Sequence, residues 1–210
     1  MRKSKNLLII AFLVFAMLAV GCFGGNSDAP EHEYTRGVLT ENSFESEFLN
    51  LRFVLPEGFN MMSQEDMENT FGFVMDAMFD EEIADYVQEA VIYEMVATAP
   101  MGIPSLIVML EKLPVRDMTI RDHIETMKSD AIEEMISVGM EITFSDEIIT
   151  VEIAGETYTQ VSAVIYMFGI DTNQKYLFRQ IGDMMVNIIV AYMPGVETEV
   201  QMLMDAFEPF

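Results

Sequence analysis

The chain has no tryptophan, one cysteine (Cys22) and two histidines (His32 and His123) in 210 residues. Basic residues are also scarce: 11 Lys and Arg stand against 35 Asp and Glu, a formal charge of −24. Each scarcity excludes something. One cysteine cannot close an intramolecular disulfide, so the core alone must hold the fold. Two isolated histidines give no H-E-x-x-H metal motif, and no G-x-S-x-G, G-x-G-x-x-G or phosphate-binding Walker loop occurs. An acidic excess of this size repels phosphates, which argues against nucleic acid and anionic lipid headgroups as partners. Without Trp, and with Phe and Tyr mostly at periodic apolar positions, a carbohydrate-stacking platform is also disfavoured. Long apolar runs are missing but for residues 7–20, fourteen positions without a polar or charged group. That falls short of the roughly 20 apolar residues a membrane-spanning helix needs.

Arg2, Lys3 and Lys5 precede this run, and Leu18-Ala19-Val20-Gly21-Cys22 closes it. A positive start, a short apolar stretch and small residues before a cut site are the marks of a secretory signal. The pentapeptide resembles the bacterial lipoprotein signal, with one departure: Ala19 stands three before the cysteine, where Leu is commonest. The resemblance implies cleavage before Cys22 and attachment of a lipid, with a palmitate-type acyl chain, to that residue. The expected organisation is a signal peptide over 1–21, a flexible tether over 22–33 and one acidic domain over 34–210. The expected location is the outer face of the bacterial cytoplasmic membrane. Cleavage leaves eight basic against 35 acidic residues, a charge of −27. The tether is rich in Gly, Asn, Ser, Asp and Pro, and His32 within it reads as solvated.

Beyond the tether, period-2 apolar alternation predicts short strands over 34–40, 44–48 and 51–55, the last stopped by Pro56-Glu57-Gly58. Ser63 and Asp66 mark a helix start, with Met67, Phe71, Val74, Met75 and Met78 on one face, and a second piece beyond Asp80 carrying Ile83, Tyr86 and Val87. Strands follow over 91–98 and 105–113 around a breaker-rich loop. Thr119 with Asp122 opens a second helix, lined by Ile120, Ile124, Met127, Ala131, Met135 and Val138 and stopped by Gly139. The remainder reads as a meander, with strands over 140–144, 148–153, 157–168, 175–181 and 184–193, and a closing helix over 196–207.

Four features invite chemistry, and each has a plainer reading. Asp76, Asp80, Glu81, Glu82, Asp85 and Glu89 line one side of the first helical stretch, as a solvated face does; the glycine turn of a calcium loop is absent. Asp171-Thr172-Asn173 resembles the opening of a calcium loop but lacks the downstream Gly and Glu, so it reads as a hairpin tip. His123 has no second histidine in the domain to converge with, and reads as a structural residue beside a carboxylate. Twenty methionines, scattered at core-like positions, read as adaptable filler rather than a copper relay.

Three segments carry a wider resemblance: Phe48-Leu49-Asn50-Leu51-Arg52-Phe53-Val54-Leu55-Pro56-Glu57-Gly58-Phe59, then Val151-Glu152-Ile153-Ala154-Gly155-Glu156-Thr157-Tyr158, then Met202-Leu203-Met204-Asp205-Ala206-Phe207. Over residues 44–210 the chain is similar to uncharacterised Gram-positive lipoproteins with a PsbP-like domain. The resemblance implies an α+β fold, an antiparallel sheet of about seven to eight strands with helices packed on its faces. It implies no reaction. The expected function is a non-catalytic binding module, with no metal or cofactor, that takes an envelope protein or small hydrophobic ligand on the sheet face or in a groove beside the first helix. The alternative is a carboxylate-based metal-binding or hydrolytic envelope enzyme.

Overall fold

The computed structural model describes residues 34–78, 90–113, 118–137, 139–167 and 169–210. The expected signal peptide, Cys22, the tether and the piece of the first helical stretch beyond Asp80 lie outside the described residues. The described part is an α+β domain of two antiparallel sheets and three helices. The helices are α1 (Gln64–Met78), α2 (Ile120–Ser137) and α3 (Glu197–Asp205). A seven-stranded sheet runs in the order β4-β5-β6-β10-β9-β8-β7, and a four-stranded sheet in the order β1-β2-β3-β11. The large sheet comprises β4 (Asn60–Met61), β5 (Val91–Thr98), β6 (Ser105–Lys112), β7 (Glu141–Ile153), β8 (Glu156–Met167), β9 (Ile170–Ile181) and β10 (Met184–Tyr192). The small one comprises β1 (Val38–Leu39), β2 (Ser43–Ser46), β3 (Leu51–Val54) and β11 (Phe207–Pro209).

The large sheet is the middle layer. Because side chains alternate across a strand, β6 sends Ile107 and Met109 to one face and Leu106, Val108 and Leu110 to the other. The first set packs with Met67 and Phe71 of α1 and Ile124 and Met127 of α2. The second packs with Phe44, Leu51 and Phe53 of the small sheet and Val200 and Leu203 of α3. β6 and β10 are covered on both sides, which is why they read as near-continuous apolar runs. Methionine fills both cores: Met67, Met95, Met109, Met127 and Met185 are buried.

Local chemistry sets the ends. Ser63 Oγ accepts the N–H of Asp66 at 3.1 Å and donates to its carboxylate at 2.6 Å. Thr119 and Asp122 cap each other reciprocally at 3.1 and 3.2 Å. At the other end of α2, Gly139 takes φ +75°, and Met140 N–H reaches the Met135 carbonyl at 2.9 Å, the bond of a Schellman stop.

Four expectations are corrected. The strands read over 140–144 and 148–153 are one strand, β7: the polar residues between them form a bulge against a continuous β8, with Ser145 Oγ accepting the Glu147 N–H at 3.1 Å. The turn read before Lys175 belongs to β9, where Asp171, Thr172 and Asn173 are paired with β8 and Thr172 is buried. The closing helix ends at Asp205, and Phe207 opens a strand instead. The strands also divide between two sheets, because β1 to β3 recruit β11 and not an edge of the large sheet.

Candidate functional site

The small sheet covers only one end of the large sheet, and exposure rises along β7, β8, β9 and β10 away from that cover. On β8, Tyr158 is fully buried while Val164 and Tyr166 are 41% and 50% exposed. On β9, buried Leu177 gives way to half-buried Lys175 and Asn173, then to exposed Asp171. On β10, Val190 is buried and Tyr192 half-buried. On β7, Ile153 is buried, Val151 half-buried, and Ile149 and Thr143 exposed.

Register turns this open end into a defined surface. Thr143 pairs with Val164, Val164 with Asn173, and Asn173 with Tyr192, a single row across four strands. With Ser162 the row lines a groove of about 240 Å³. The strand twist makes it concave, and the four side chains of the row share one face. Lys175 stands beside it, with Nζ 5.8 Å from the centroid of the Tyr192 ring. Burial raises the pKa of Tyr192, and the nearby Glu197 raises it further, so its hydroxyl stays protonated. The groove thus offers hydroxyl and amide groups around an apolar centre, with one ammonium at its margin. No carboxylate or imidazole side chain is among the residues that line it.

A second groove of about 340 Å³ lies beside the start of α1, lined by Leu39, Thr40, Glu41, Met61, Met62, Ser63 and Gln64. Its Met61-Met62 pair gives a deformable apolar wall.

The titratable chemistry of the domain is elsewhere, inside the layer beneath α2. His123 Nε2 lies 3.6 Å from Glu111 Oε2, and both side chains are 1% exposed. Burial pushes the His123 pKa down to about 4, so the ring is neutral at pH 7 despite the carboxylate. The His123 ring meets Phe178 edge-on at 5.3 Å. Asn187, opposite Phe178 in the sheet, is fully buried, and neither of its amide atoms has a protein partner. Sequence reasoning allowed His123 a neighbouring carboxylate without singling out Glu111, and it missed Asn187, because a single amide in an apolar run carries no periodic signal. Among the described residues, no three His, Cys, Asp or Glu side chains are grouped to hold a metal.

At the far edge of the sheet, buried Glu94 accepts the Tyr34 hydroxyl and, at 3.0 Å, the Gly37 N–H. Arg36 Nη2 donates to the Tyr93 carbonyl at 2.9 Å. These bonds fasten residues 34–37 onto β5. Of the other residues singled out in sequence, Cys22, His32 and the acidic residues from Asp80 to Glu89 lie outside the described residues. Among the described residues, no helix is long and apolar enough to cross a membrane.

No family model matches the chain, and no curated protein matches it in sequence. In structure it is similar to the cyanobacterial PsbP (CyanoP) from Synechocystis sp. PCC 6803, at 8% identity and a TM-score of 0.48. That similarity covers 86% of this chain and 99% of the other. It is also similar to a protein from Bacteroides thetaiotaomicron VPI-5482, at 11% identity and a TM-score of 0.42, over 82% of this chain and 49% of that one. Neither likeness assigns a function.

Proposed function

We propose that this protein is a lipid-anchored, extracytoplasmic binding module without catalytic activity, whose docking surface is the open end of the large sheet. The observation that carries the reading is the uncovered row Thr143–Val164–Asn173–Tyr192, an ordered, partly apolar surface on strands held rigid by a buried core. Rigid strands suit recognition because little entropy is lost when the surface is occupied. The anchor rests on the Leu18–Cys22 resemblance, and the tether would hold the acidic domain off the membrane. An envelope protein or a small hydrophobic ligand fits the groove, since Val164 and the Tyr192 ring supply its apolar contacts.

A photo-crosslinking residue at Val164, in native membranes, tests the surface. One reproducible partner is expected from Val164 and none from a control at Met101, an exposed loop residue (78%). Equal yields from both sites would refute the groove as the docking surface. For the anchor, Cys22→Ser is expected to release the protein from membranes and abolish acyl labelling. Membrane retention with no label in the wild type would refute it.

A further inference from the structure

The two edges of the large sheet are treated differently. The β5 edge is closed: β4 pairs with Ala97 and Thr98, Met62 N–H takes the Val96 carbonyl at 2.9 Å, and Arg36 takes that of Tyr93. The opposite edge is β7, thirteen residues long, which among the described residues pairs only with β8. Every second residue of an edge strand turns its N–H and C=O outward, ready to pair with another chain. The bulge at Ser145 to Glu147 divides this edge and leaves residues 148–153, Ile-Ile-Thr-Val-Glu-Ile, as a regular run of strand-forming residues.

Natural edges are commonly guarded by lysine. β7 has no basic residue; its charged side chains are Glu141, Asp146, Glu147 and Glu152. None of the four makes an ion pair among the described residues. Two copies of so acidic a chain repel, and these four carboxylates concentrate the repulsion at the β7 edge. The same charges attract a strand of opposite sign. The edge therefore discriminates against self-pairing while remaining open to a cationic segment.

We infer that residues 148–153 of β7 accept an extended, basic segment of a protein partner as an eighth strand of the large sheet. The backbone ladder supplies binding, and Glu147 and Glu152, near the ends of the run, select Lys or Arg in the added strand. This rests on the reading of the chain as an interaction module and names the partner's chemistry.

The probe is a short fluorescent peptide of alternating lysine and valine, with an alternating glutamate and valine peptide as control. The basic peptide is expected to bind the full chain, weaken with salt and slow amide exchange at residues 148–153. The double variant Glu147→Lys, Glu152→Lys changes only exposed side chains and should keep the wild-type melting curve while weakening the peptide about tenfold. Four results would overturn the inference: no binding, binding indifferent to charge reversal, protection confined to the Thr143–Tyr192 row, or wild-type dimers paired through β7. Crosslinking from Val164 with freely exchanging β7 amides sinks this inference and leaves the groove reading standing. Peptide binding on β7 with no crosslink from Val164 does the reverse.

Discussion

His123 on α2 and Glu111 on β6 face each other across the helix–sheet interface, Nε2 to Oε2 at 3.6 Å, both closed to water. The distance exceeds a hydrogen bond, and burial holds the imidazole neutral with a pKa near about 4. An ordinary histidine titrates near about 6.5, so the native state holds this one deprotonated where the unfolded chain would protonate it. The resulting stability is complete above about pH 6.5 and is lost as pH falls toward the folded pKa, a change on the order of 3 kcal/mol. Urea unfolding at about pH 7 and about pH 5 should show the loss in the wild type and much less of it in His123→Gln. Parallel losses in both proteins would show that another group is responsible.

Glu94 titrates with the opposite sign. Burial raises its pKa above the ordinary glutamate range, and the hydrogen bonds from Tyr34 and Gly37 only partly offset this. Its contribution to stability is complete below the unfolded glutamate pKa and is lost as pH rises through the folded value. Tyr34→Phe removes one of the two bonds that make the buried carboxylate tolerable. It should cost about 1–2 kcal/mol near neutral pH and less in acid, where the carboxyl is protonated. Melting curves across that range are the check, and a pH-independent cost would rule out the coupling.

The β7–β8 hairpin turns on Ala154 at φ +53° and Gly155 at φ +79°, two left-handed positions in succession. Only Gly155 suits its place; a side chain other than Asn or Asp is strained at Ala154. Ala154→Asn should stabilise the domain by about 0.5–1 kcal/mol, read as a higher melting temperature. A lower one would mean that Ala154 serves packing and not the turn.

Gly37 is needed for closeness and not for an unusual φ. A methyl group there would overlap the ring of fully buried Phe44 and come within 2.9 Å of the Glu45 carbonyl. Gly37→Ala should destabilise by about 1–3 kcal/mol, since Phe44 has no room to retreat. Denaturant titration checks it, and a neutral result would show that the segment beside β5 shifts freely.

Signals within a few residues were legible in the sequence. The caps at Ser63 and Thr119, the stop at Gly139 and the Gly-bearing hairpin at Ala154-Gly155 are set by neighbours in the chain, and the structure has them where the pattern placed them. What depends on distant segments was not. Asp171 to Asn173 look like a turn in isolation, and only pairing with β8 draws them into β9. Ser145 to Glu147 look like a turn too, and an uninterrupted partner strand makes them a bulge. Which end of the large sheet stays open was not legible either, because it is decided by where the small sheet lands. The burial of Glu94 depends in the same way on a segment about 60 residues earlier.

The small sheet joins β3 to β11, with Phe53 opposite Phe207 and their rings 5.1 Å apart. These strands are separated by most of the chain, so a nascent polypeptide cannot close this sheet until residues 207–209 have emerged from the ribosome. The entropy of closing so long a loop opposes the contact until the large sheet has gathered the intervening segments. The β3–β11 pairing is therefore expected to form late, after the strands between them in sequence have assembled.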